Sequence, residues 1–159
     1  NQVGYHLFDR RIEKDVIPLA GRNQIGVMAY GSLAHGLLTG TMSPDTKFGD
    51  DDWRKPGYAF GLPLFKGEFF ERNLRIVDRL REFAQNHSWS LTQLAAGWVL
   101  SNSNVTVALT GAKNPEEITQ NVLASECKLT NKHLAEIDSI LASEPPMPDA
   151  PLGQNMGRK

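Results

Sequence analysis

The sequence predicts an α/β protein built on a parallel sheet, about three βα units followed by a C-terminal helix. Two observations predict it. Two short apolar runs, Ile25 to Tyr30 and Val105 to Thr110, have the length and composition of strands buried on both faces. Between and around them, apolar residues recur at three- and four-residue steps, as amphipathic helices require. Strands that alternate with such helices form βαβ units, and those units build parallel sheets.

The elements follow in order. Asn1 to Tyr5 suits a further strand. Residues 10–20 place Ile12, Val16 and Leu19 at helical spacing, with Pro18 expected to fray or kink the last turn. After the first apolar run, residues 41–67 form a long inserted loop. Phe69, Phe70, Leu74, Val77, Leu80, Phe83 and Ala84 then mark a long helix. Ser90 opens another, with Gln93 three residues on as the partner of a capping box. Leu91, Leu94, Ala95, Trp98 and Val99 form its apolar side. Beyond the second run, Asn114 suits an N-cap, Pro115 the first helical position and Glu117 a capping-box partner. Ile118, Val122 and Leu123 are expected to carry that helix's buried stripe. Thr130 caps a last helix whose face is Leu134, Ile137, Ile140 and Leu141. One unit over 1–144 results, with an irregular tail at 145–159 rich in Pro and Gly.

Composition limits the function. The 159 residues carry 17 Lys+Arg and 18 Asp+Glu, a net charge of −1, with 40% hydrophobic residues. This balance fits a folded chain and lacks the basic footprint of a nucleic-acid binder. No apolar run approaches the roughly 18 residues of a membrane span. Cys127 is the only cysteine, which fits a reducing compartment and a cytoplasmic location. The tripeptides at Asn86 and Asn104 match the glycosylation pattern, but nothing else points to secretion.

Three βα units leave open sheet edges and half-covered helices, and a closed (β/α)8 barrel typically needs about 250 residues. The chain is therefore a small open α/β domain or part of a barrel. Ligands in parallel α/β folds sit beyond the carboxyl ends of strands. Two segments lie there: Tyr30 to Gly40, rich in small residues, and Thr110 to Glu117, which leads into a helix N-terminus. From spacing alone both also read as ordinary βα turns.

Four segments, in order, give these turns a more specific meaning. They are Asn1-Gln2 with Tyr5 and the Arg10…Glu13 pair, Ala29 to Gly40, Leu91 to Leu100, and Thr110 to Ile118 with Asn121. In these the chain resembles the C-terminal portion of an aldo-keto reductase, from the sixth to the eighth βα unit of a TIM barrel with its C-terminal helix. The resemblance implies a site for a nicotinamide dinucleotide, NADP in preference to NAD on family frequency. Gln2 matches the residue that hydrogen-bonds the carboxamide, and Tyr30 the ring that stacks on the nicotinamide. Gly31, Ser32, Leu33, Ala34 and Gly36 lie in the loop that wraps the pyrophosphate. Arg54 resembles a basic residue on the loop that folds over the cofactor. Gly111, Lys113, Glu117, Gln120 and Asn121 match the cluster around the adenosine end. The chain departs from the family where Gly31 and Ser32 replace the usual Ser-Pro, where Thr41 replaces a lysine, and where Glu117 replaces an Arg or Gln. A carboxylate at 117 repels a 2′-phosphate, whereas Lys113 and Arg54 attract one.

The family's proton-donating tyrosine, and the lysine, aspartate and histidine that tune it, have no counterparts here. Tyr5, Tyr30 and Tyr58 fall at other positions, so no catalytic residue is assigned and the isolated chain is expected to be inactive. A small carbonyl compound is the implied substrate of the intact barrel. The alternative is a non-catalytic nucleotide-binding or assembly module, joined to a complementary half-barrel or to itself; a truncated product without function is the third. Of the remaining groups, His6, His35, His87 and His133 show no metal spacing, with His35 expected to face solvent. Asp50 to Asp52 suit a solvated loop, and Cys127 a packed thiol. Trp53 and Phe60 suit a lid or a pocket wall.

Overall fold

A computed structural model describes residues 1–148. Three strands, β1 (Gln2–Gly4), β2 (Val27–Tyr30) and β3 (Val105–Ala108), pair in parallel in the order β1-β2-β3. Gln2 lies opposite Met28 and Gly4 opposite Tyr30, and a bulge between Val27 and Met28 shifts the register with β3. Five helices accompany them: α1 (Val16–Arg22), α2 (Gly67–Asn86), α3 (Leu91–Leu100), α4 (Pro115–Val122) and α5 (Asn131–Leu141). The parallel α/β class is as the sequence predicts.

The caps form as their residues dictate. Ser90 Oγ accepts from Gln93 N at 3.1 Å while Gln93 Oε1 accepts from Ser90 N at 2.8 Å. Thr130 closes the same box with His133 at the start of α5. The core is one cluster that joins Val27 and Ala29 of β2 to Ile76 and Leu80 of α2, Leu94 and Val99 of α3 and Ile137 of α5. Trp98, Phe83 and Cys127 are buried, the last with its thiol pushed up to about 11 by burial.

Three expectations are corrected. The strands bury one face rather than two: Val27 and Ala29 are enclosed, but Met28 is 39% and Val107 38% exposed. The helices cover only the first face; on the second, Phe60 of the long loop reaches Tyr30, while Met28 and Val107 stay exposed. For the same reason α4 has no buried stripe, since Ile118 is 56% and Val122 66% exposed. The helix expected over 10–20 divides into a 3₁₀ turn at Arg11–Glu13 and α1. Pro18 therefore sits in the first turn of α1, where no intrahelical N–H is lost. The tail is irregular as far as residue 148; its remainder lies outside the described residues.

Beside α1, Tyr5 and the Arg10–Glu13 pair make a polar joint. The Tyr5 hydroxyl donates to Glu13 Oε1 at 2.7 Å and its ring packs on Trp98 at 4.9 Å. Arg10 donates to Glu13 at 2.9 Å and to Asp138 at 2.5 Å, and lies over the Trp98 ring. Burial, with Glu13 as hydrogen-bond partner, drives the Tyr5 pKa upward, so this phenol stays protonated. Its place is structural.

Candidate nucleotide site

Because β2 and β3 are parallel neighbours, the segments that follow them emerge at the same end of the sheet. Residues 30–40 and 109–117 share that end, and the long loop 41–66 lies against it. Gln2 and Gly4 share the open face with Met28 and Tyr30. A Cβ at Gly4 would stand 3.3 Å from the Tyr30 ring, so a side chain there would push that ring a few tenths of an ångström away from β1.

The turn after Tyr30 is unusual in its backbone. Ala34, His35 and Gly36 all take positive φ, at 46°, 57° and 99°. Glycine adopts this region freely, whereas each of the other two costs on the order of 1 kcal/mol. The turn is held from outside. Arg54 Nη1 donates to His35 O at 3.0 Å, and Arg54 Nε and Nη2 grip Asp52 at 3.0 and 2.6 Å. Its guanidinium also rests on the Phe48 ring, 4.8 Å from the centroid. Hydrogen bonds from Arg54, with the Lys113 charge adding to them, pull the Asp52 pKa down to about 2.

An aromatic cluster completes the attachment. His35 stacks on Phe60 at 5.1 Å and meets Trp53 edge-on at 5.2 Å, and Phe60 lies 5.3 Å from Tyr30. His35 therefore packs rather than facing solvent as expected, because the left-handed turn swings its ring inward. Burial lowers its pKa to about 4. Behind it His6 is fully enclosed, with burial holding its pKa near 3, and its Nδ1 accepts from Phe8 N at 3.2 Å. Burial alone would raise Asp9, but Arg11 clasps it at 2.7 and 2.8 Å and holds it below the ordinary carboxylate range. Arg11 also donates to Phe60 O at 3.2 Å, which ties the long loop to the β1 end. Sequence reasoning weighed His6 only as a metal ligand and missed its grouping with Asp9 and Arg11. The signal was their spacing, three and two residues apart just after a strand, where a tight turn brings them together.

The assigned residues are placed as follows. Tyr30, Gly31, Leu33 and Gly36 are half-buried in the strand-end turn, whereas Ala34 is fully buried in the core. Ser32 is fully buried and donates to Ala29 O at 3.2 Å, so its hydroxyl is turned inward. Gly111, Lys113, Glu117 and Gln120 are exposed around the start of α4 and Asn121 is half-buried. Asn121 Nδ2 donates to Gly111 O at 3.2 Å, and Gln120 accepts from Gln93 at 3.3 Å. Asn114 caps α4 as expected by accepting from Glu117 N. The Glu117 carboxylate, however, accepts from Lys113 N at 2.8 Å rather than from the cap residue's own N–H. An acceptor set in the helix-start turn, a stacking ring and a backbone loop at one sheet end can hold a nucleotide with a phosphate between its two ends.

Comparison with known proteins identifies the family. The model of the Aldo/keto reductase family matches residues 1–142. Aldo-keto reductase YhdN of Bacillus subtilis (strain 168) is 33% identical over 141 residues, 88% of this chain and 41% of that protein. The NADH-specific methylglyoxal reductase of Escherichia coli (strain K12) is 30% identical over 148 residues, 90% of this chain and 40% of that protein. The solved structure of the glycerol dehydrogenase AKR11B4 from Gluconobacter oxydans superposes with a TM-score of 0.84 at 36% identity, covering 94% of this chain and 44% of that one. The chain thus spans about two fifths of the length of the relatives it matches. The family model, the relatives and the solved structure converge, and the chain belongs to the aldo/keto reductase family.

Proposed function

We propose that this chain supplies the dinucleotide-binding side of an NAD(P)H-dependent carbonyl reductase, and that alone it does not turn over. The observation that carries the reading is the convergence, at one sheet end, of Tyr30, the left-handed turn at 34–36 and the Lys113–Glu117 turn. A bound nicotinamide would supply the hydride. Tyr30 offers it a flat face, the turn at 31–36 offers the pyrophosphate its backbone, and the α4 start receives the adenosine. The three tyrosines have other places in this reading: Tyr5 is locked to Glu13, Tyr58 accepts from Lys66 Nζ at 2.6 Å on the long loop, and Tyr30 serves as the platform. The test is calorimetric titration with NADH and NADPH beside a carbonyl-reduction assay. Binding without turnover is expected; turnover by the chain alone would refute the second half, and no binding the first.

The expected NADP preference rests on family frequency, and one observation favours the other cofactor. Glu117 already holds Lys113 N and Asn114 Nδ2, at 2.8 and 3.2 Å, which supports a reading in which its carboxylate would repel a 2′-phosphate at the α4 start. A free ribose hydroxyl would instead find an acceptor. The Escherichia coli relative named as NADH-specific is consistent with this direction.

A second reading is assembly. Met28 and Val107 on the open sheet face, and Ile118 and Val122 on α4, form apolar surface that a complementary half-barrel or a second copy would bury. Sedimentation of the pure chain tests it: a concentration-independent monomer would refute self-association.

A further inference from the structure

A cleft of about 560 Å³ opens between the segment 7–11, the turn ending at Leu62, the outer side of α2 and the chain from the end of α5 to residue 148. None of the residues assigned to the dinucleotide lines it. Its volume is that of a small-molecule site. Leu7, Phe8, Leu62 and Leu141 give it an apolar floor.

The charges around it are matched, with one exception. Arg10 is satisfied by Glu13 and Asp138, and Arg11 by Asp9. Glu144 is held by Arg75 at 2.9 Å and Arg79 at 3.7 Å. Arg72 has no carboxylate within 4 Å among the described residues. Its Nε donates to Pro145 O at 2.6 Å and its Nη1 to Asn73 Oδ1 at 2.7 Å. Asn73 is fully buried and fixed on Leu64 O at 3.0 Å. The guanidinium is thus aimed by a rigid neighbour and half-buried at the cleft, with no ion pair of its own among the described residues. Burial holds its pKa below the usual arginine value, with Glu144 opposing that shift and Arg75 adding to it.

A planar cation beside an apolar trough suits a ligand with one carboxylate and a hydrocarbon tail. We propose that the cleft binds a medium-chain carboxylate, its head on Arg72 and its chain along Leu7, Phe8, Leu62 and Leu141. The inference rests on the fold alone and stands apart from the dinucleotide reading.

The test is calorimetric titration of the full 159-residue chain with octanoate, octan-1-ol and acetate. Saturable binding of octanoate is expected, at least tenfold tighter than octanol, which has the tail without the charge, and than acetate, which has the charge without the tail. Arg72→Gln should weaken octanoate at least tenfold and leave octanol unchanged, while Arg72→Lys keeps most of the affinity. Should Arg72→Gln fail to fold, the comparison of octanoate with octanol on the unaltered chain decides. Equal binding of the two, indifference to Arg72→Gln, or no binding overturns the proposal. Binding that appears only after removal of residues 149–159 also overturns it, and assigns the cleft to the chain's own tail.

Discussion

Arg54 separates two ways in which a basic residue serves a phosphate site. The sequence places it at the cofactor; the structure spends its donors on Asp52 and His35 O and its face on Phe48. On this geometry Arg54 acts by holding the left-handed turn at 34–36. Arg54→Ala removes a charge-assisted bond to a backbone carbonyl, a half-exposed ion pair and a cation–π contact. Allowing about 1 kcal/mol for the first and about 0.5 kcal/mol for each of the others gives about 2 kcal/mol. That sum applies to local opening of the turn, because the strain at Ala34 and His35 is then unopposed. Amide hydrogen exchange over residues 34–38 should accelerate about 30-fold, with α2 and α3 amides unchanged. The informative variant is Arg54→Lys, which keeps the charge and loses the fork. A clasp predicts that it behaves nearly like alanine, in exchange and in dinucleotide affinity. If Arg54→Lys keeps both the affinity and the protection of the turn, the side chain meets phosphate directly and the reasoning fails.

Three further outcomes follow from particular contacts. Gly97→Ala puts a Cβ 2.8 Å from Cys127 Cβ and 3.0 Å from its Sγ, so overpacking of roughly 2 kcal/mol should exceed the helix-propensity gain of about 1 kcal/mol. The melting temperature should fall by about 3 °C, and a gain instead would show that the α3 contact yields easily. Glu117→Gln should improve NADPH affinity about fivefold relative to NADH in parallel titrations, and an unchanged ratio would remove Glu117 from cofactor choice. His6 and His35 have folded-state pKa values lowered to about 3 and about 4 from 6.5, so between pH 6.5 and 4 the unfolded chain binds more protons. Their contribution is complete above pH 6.5 and is lost on acidification at about 1.4 kcal/mol per pH unit for each. Urea midpoints that stay flat from pH 6.5 to 4.5 would contradict the packed, neutral rings.

What could be read in the sequence was what neighbours along the chain decide. The Ser90 and Asn114 caps depend on residues three apart, and both form. The runs at 27–30 and 105–108 depend on β-branched and apolar side chains, and both are strands, each shorter than its apolar run. What covers a face is not a local property. Met28, Val107, Ile118 and Val122 have the composition of buried residues, yet among the described residues nothing buries them. The long loop was recognisable as a loop, but its attachment joins Phe60 to Tyr30 and Arg54 to His35 across 19 to 30 residues, which no spacing rule anticipates. Glu117 shows the same limit at short range. Its role as a helix-start acceptor was legible, but the N–H it takes is that of Lys113, which places its charge in the turn between strand and helix.

The central claim is that the strand-end turns of this chain form one side of a dinucleotide site. Backbone amide shifts of the isotopically labelled chain, recorded with increasing NADH, test it most directly. The account predicts saturable shifts confined to residues 30–36, 52–54 and 111–121, with the amides of α5 unmoved. Shifts absent at millimolar NADH in a chain whose α2 and α3 amides are protected, or shifts centred away from those turns, would contradict it.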